Sequence, residues 1–126
     1  MVKEVLKKDA KRFIEKAEEF YVSALENYQK GRFNVSVFDS SQAIIMANDG
    51  FCVFALGRRA SKDHREAIRL HVEASSGRGS KKDIVAEALE KRSKFGYTQV
   101  ESSQMDAQLI LVRARRFIEW VKGKIG

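Results

Sequence analysis

The chain holds no proline in 126 residues. Proline costs about 3 kcal/mol inside a helix, because it lacks an amide hydrogen and its ring clashes with the turn before it. Without it, nothing covalent interrupts a long helix, and the apolar spacing uses that freedom. Phe13, Ile14, Ala17, Phe20, Tyr21, Ala24, Leu25 and Tyr28 recur every three or four residues, the period of one helix face. Lys11, Arg12, Lys16, Glu18, Glu19 and Glu26 fall largely off that face. With Asp9 as N-cap and Gly31 as C-cap, the pattern predicts a helix over 9–30, about 30 Å long.

A second helix is expected over 34–56, ended by Gly57. It is apolar on more than one face, which places it at the centre of a bundle or in a subunit interface. Ser41, Asn48 and Cys52 share a face with Ile45 and Ala55, so a buried Asn48 needs partners within the protein. Ser61 is expected to cap a third, shorter helix over 62–75, with Ala67, Ile68, His71, Val72 and Ser75 inward. The run Ser75-Ser76-Gly77-Arg78-Gly79-Ser80 is the clearest loop. A fourth helix follows, capped by Ser80, with Asp83 in its first turn. Ile84, Val85, Ala88 and Leu89 form its inner face, and Phe95-Gly96 ends it. The last helix is expected to begin near Ser102 or Ser103 and reach Gly123, with Met105, Leu109, Val112, Arg113, Phe117, Trp120 and Val121 along one side. No paired strands and no internal repeat stand out. The expected fold is all-α, an antiparallel up-and-down bundle of four long helices plus a short one, in a single domain spanning 1–126.

Composition removes several classes of function. Apolar residues make up 44% and charged residues 33%, which excludes a disordered chain or a disulfide scaffold. The single cysteine, Cys52, cannot form an internal disulfide and suits a reducing, cytoplasmic setting. It lies in the most apolar helix, where a small buried hydrophobe is expected rather than a nucleophile. Met1-Val2-Lys3-Glu4 leads straight into charged sequence, and no apolar run is long enough to span a membrane. No CxxC, HExxH or GxxxxGK[ST] pattern occurs, so neither a metal nor a cofactor is expected.

The net charge of +7 is concentrated. Residues 58–82 carry eight Lys/Arg against three Asp/Glu, a local +5. Arg58, Arg59, Lys62, His64, Arg65 and Arg69 form the densest segment and are the candidate phosphate-binding residues. Arginine forks match phosphate oxygens, and a helix start adds backbone donors. A nucleotide or an RNA backbone is the implied partner; the bland alternative is a solvated helix face. The only histidines, His64 and His71, lie about 10 Å apart along one helix, too far to share a metal. His71 falls on the apolar stripe and is expected to be a core or interface histidine. Arg59 with His64, and Arg65 with His71, have the spacing of arginine–histidine pairs that could cleave RNA, with histidine moving protons and arginine stabilising the charge on phosphorus.

Several pieces in order carry a resemblance. Tyr21-x-x-Ala24 leads to Gly31-Arg32-Phe33, then Ser40-Ser41-Gln42-Ala43-Ile44 through Leu56-Gly57, then Ser61-Lys62-Asp63-His64. Arg92-x-x-x-Phe95-Gly96-Tyr97 and Ala114-Arg115-Arg116-Phe117-Ile118-Glu119-Trp120-Val121 complete it. Over about 10–122 the chain resembles the HEPN domain family, small all-helical nucleotide-binding domains of prokaryotes and higher eukaryotes. The resemblance implies a bundle of four or five helices that forms a homodimer. It also implies pairing with a minimal nucleotidyltransferase, as in toxin–antitoxin-like systems. Some members are metal-independent ribonucleases using an Arg-x(4–6)-His motif. The matching arginine here is Arg92, and no histidine follows His71. The expectation is therefore a non-catalytic module that binds nucleotide or RNA phosphate. Its rivals are a metal-independent endoribonuclease toxin and a purely structural interaction bundle.

Overall fold

A computed structural model describes residues 2–61, 64–76 and 78–126. Its five helices are α1 (Val2–Gln29), α2 (Phe33–Leu56), α3 (His64–Ala74), α4 (Lys82–Tyr97) and α5 (Gln104–Ile125). No strand occurs among the described residues. Four long helices and one short one pack into a bundle, as the periodicity predicts.

The central position expected for the second helix is the organising fact. α2 packs against each of the other four helices. Val37, Ala43, Ile44, Ala47, Phe51 and Cys52 are all buried within the one chain. Much of the apolar surface that pointed to a subunit interface is thus covered by α1, α3, α4 and α5. α1 and α2 run antiparallel along a seam of small residues, Ala10, Ala17, Ala24, Ala43 and Ala47. Closest approach comes at Gly50, where an added Cβ would sit 3.0 Å from the Ala10 carbonyl oxygen and 3.1 Å from Phe13 Cβ. Ser36 Oγ stitches the same seam by donating to Ala24 O at 2.8 Å.

Helix ends follow local chemistry, with several departures from expectation. α1 begins at Val2 rather than Asp9, and Asp9 is an interior residue ion-paired with Arg12 at 4.0 Å. Leu6 and Ala10, four apart, extend the inner stripe backwards and carry the helix through Asp9. At the other end Arg32 N donates to Asn27 O and Gly31 N to Tyr28 O, a Schellman motif with Gly31 at φ 75°. Ser103 caps α5 by accepting from Asp106 N at 3.0 Å. α4 does not stop at Phe95-Gly96 but runs to Tyr97, and Gly96, having no side chain, leaves room for the Phe38 ring of α2. Ser80 Oγ accepts from Lys82 N at 3.2 Å, although the residue in the N-cap position is Lys81. Residues 62 and 63, where Ser61 was expected to start α3, lie outside the described residues.

α5 departs most from its predicted face. Ala107, Ile110, Leu111, Ala114, Phe117, Ile118, Val121 and Ile125 are buried. Of the side predicted to run from Met105 to Val121, Phe117 and Val121 are buried, but Met105, Leu109 and Val112 are 63%, 44% and 41% exposed. Two apolar stripes run along this helix, and the one rich in alanine and isoleucine faces α2.

Candidate anion-binding site

The six basic candidates do not converge on one spot. Arg58 and Arg59 follow the left-handed turn at Gly57 (φ 74°) and line a cavity of about 500 Å³ between α1 and the end of α2. Arg12 and Lys16 of α1 line it too, with Leu6, Phe13 and Val53 as the apolar floor and Asp9 as the acid. Four cations and one carboxylate thus line it, with Asp9 paired to Arg12. Arg59 is held in place, with its guanidinium carbon 5.2 Å from the Phe13 ring centroid and Nη1 3.5 Å from Asp49 Oδ2. Arg58 reaches the other way, to Glu73 of α3 at 3.1 Å.

The remaining candidates lie elsewhere. His64 is exposed and lines a separate groove with Ile68, Leu89 and Val100. Arg65 and Arg69 are exposed on α3. Lys62 lies outside the described residues. Arg12 and Lys16 were read from sequence as solvated residues off the apolar face. Their signal lay in the antiparallel α1–α2 hairpin, which brings the third and fourth turns of α1 beside the end of α2.

His71 occupies a different environment. It is fully buried, ringed by Phe51, Phe117 and Trp120 at centroid distances of 5.4, 5.9 and 5.6 Å. Lys81 N donates to its Nε2 at 2.8 Å, which puts the ring proton on Nδ1, 2.8 Å from Asn48 Oδ1. Asn48 Nδ2 donates to Ala67 O at 3.4 Å, and Cys52 Sγ lies 3.8 Å from Asn48 Oδ1. Asn48 therefore finds the partners its burial demands. Burial pulls the His71 pKa down to about 4, so the ring is neutral near neutral pH. Burial also pushes the Cys52 thiol up to about 12, with Asp49 and Glu73 adding to the effect. Neither spaced pair forms a contact: Arg59 engages Asp49 and Phe13, and Arg65 lies at the surface while His71 is enclosed.

Arg92 sits half-buried on α4, where Nη1 donates to Gln42 Oε1 at 2.8 Å and Nε has no partner. Asp49 is affected by both arginines. Burial pushes its carboxyl up to about 6, offset in part by Arg59 and less by Arg92. Among the described residues no group of three or more His, Cys, Asp or Glu could hold a metal ion. Nor is any described helix long and apolar enough to cross a membrane.

The arrangement has two separate parts, a cation-rimmed cavity open to solvent and an enclosed neutral network around His71. No curated protein matches the chain. A family model described as HEPN domain matches residues 10–124, nearly the whole sequence and all but the first turns of the bundle just described. The chain belongs to the HEPN domain family.

Proposed function

We propose that the protein is a non-catalytic HEPN module that binds the phosphate of a nucleotide or RNA at the cavity between α1 and α2. The observation that carries this reading is the clustering of cations there: Arg12, Lys16, Arg58 and Arg59 line one cavity, Lys16 pairs with no acid among the described residues, and the ion pairs of the three arginines have exposed guanidinium groups that an incoming phosphate can reach. Guanidinium groups in a partly enclosed site interact with phosphate oxygens more strongly than they do in open water. Arg65 and Arg69 add exposed positive charge on α3 that guides an anion without fixing it. The non-catalytic part rests on His71, whose two ring nitrogens are both engaged in the core. The proposal includes a homodimer and a nucleotidyltransferase-like partner in the cytoplasm, in the manner of toxin–antitoxin pairs, as the family resemblance implies.

The test is binding of short single-stranded RNA and of nucleotides at low salt. Arg58→Ala with Arg59→Ala is expected to weaken binding about tenfold or more and to lower the salt slope by about 1. Arg65→Ala with Arg69→Ala should weaken it less. Loss confined to the α3 double variant, or no binding by the wild type, overturns the assignment of the cavity. RNA should remain intact without metal; cleavage abolished by His64→Ala would establish the ribonuclease instead.

A further inference from the structure

A second cavity, of about 320 Å³, lies where the start of α4 meets α5. Its lining is Lys81, Ile84, Arg113, Arg116, Phe117 and Trp120. Phe117 and Trp120 form the aromatic part, their rings stacked at 28° with centroids 5.8 Å apart. His71 packs against both rings and holds the backbone amide of Lys81, so the floor and one rim are fixed by the same core residue. Lys124 lies over the Trp120 ring at 5.5 Å.

Charge at this cavity is unbalanced. Arg113 is neutralised by an ion pair with Glu87. Arg116 and Lys81 pair with no acid among the described residues, and both are exposed. The nearest acids in sequence are Asp83, exposed in the first turn of α4, and Glu119, which pairs with Lys122. Two unpaired cations thus stand beside the half-buried Trp120 ring, with Phe117 buried behind it. A partly exposed indole takes a planar ring by stacking, and the cations take a negative group on that ring's edge. The volume lies at the small end of ligand sites, which span about 300–1,000 Å³, so it suits one ring system with one anionic group.

We propose that this cavity is a binding site for a small planar aromatic anion, its ring against Trp120 and its charge on Arg116 and Lys81. A mononucleotide and an aromatic carboxylate share that chemistry. The site is separate from the cavity of Arg58 and Arg59 and does not depend on its function.

Trp120 is the only tryptophan, so the one indole N–H resonance comes from a residue that lines this cavity. The wild-type chain would be titrated with adenosine monophosphate, with 1-naphthoate, and with inorganic phosphate and neutral 1-naphthalenemethanol as controls. A saturable shift of the indole signal at millimolar concentration is expected with one or both aromatic anions and with neither control. Response to adenosine monophosphate alone identifies the nucleotide, and response to naphthoate alone the carboxylate. Arg116→Ala, a surface substitution, should weaken binding about tenfold, the effect of losing one charge-assisted hydrogen bond. Arg59→Ala should leave the titration unchanged. No shift with either anion, an equal response to the neutral ring, or indifference to Arg116→Ala overturns the proposal.

Discussion

The two histidines lie seven residues apart on one short helix and live in opposite conditions. His64 is exposed at the start of α3, beside a groove and among cations. His71 is enclosed by three aromatic rings, with both nitrogens bonded. Residue type is the same and the spacing is two helical turns, so position in the bundle alone makes one a surface group and the other a structural element. The buried ring, neutral near pH 7, is closed to chemistry that needs a histidine able to gain and lose a proton there.

The strongest way to break this contrast is to remove the buried ring. His71→Ala strands the Asn48 carbonyl and the Lys81 amide and leaves a cavity among aromatics. A loss of about 4 kcal/mol is expected in denaturant unfolding. A loss below about 1 kcal/mol would mean that the network contributes little.

Acid titration sharpens the same contrast. The folded-state pKa of His71, about 4, is below the ordinary 6.5. Below pH 6.5 the unfolded chain takes up a proton that the folded chain refuses, so stability falls as pH drops from 6.5 to about 4, by roughly 3 kcal/mol. Asp49 has the opposite sign. Its folded pKa of about 6 exceeds the ordinary 3.8, so the folded chain takes up the extra proton and stability rises as pH falls from 6 to 3.8. The two trends oppose each other in the wild type. Asp49→Asn should stabilise the protein by up to about 3 kcal/mol above pH 7, with no gain below about pH 4, and should expose the full acid loss due to His71. Equal pH profiles for the variant and the wild type would show that Asp49 is not held in this way. At the bottom of the scale, His64→Ala should change stability by no more than about 0.5 kcal/mol at any pH. A larger effect would give the exposed ring a structural role.

Much of this was legible in the sequence. Proline-free periodicity yielded five helices, and the caps at Gly31, Gly57 and Ser103 set their ends. Asn48 and His71 were readable as core residues from their position on apolar stripes. Reading failed where two patterns competed. In α5 the large residues Met105, Leu109 and Val112 outweigh alanines in any hydropathy reading, yet Ala107 and Ala114 lie on the face that meets α2, where a small side chain permits close approach. The cavity was only half legible, since Arg58 and Arg59 stand in a dense run while Arg12 and Lys16 join them only through the α1–α2 fold. Burial of Asp49 on the central helix left no mark at all, because one acid in an apolar run reads as its solvated edge.

The attachment of α3 has a dynamic consequence. Its backbone packs on α2 and α4 only, while α2 touches every other helix. α3 is therefore the segment able to open without dismantling the bundle, a cooperative unit of lower local stability. The bond from Lys81 N to His71 couples such an opening to the first turn of α4. In native-state hydrogen exchange the Lys81 amide would follow the docking of α3 rather than global unfolding, and a proton on His71 would shift that local equilibrium toward the open form.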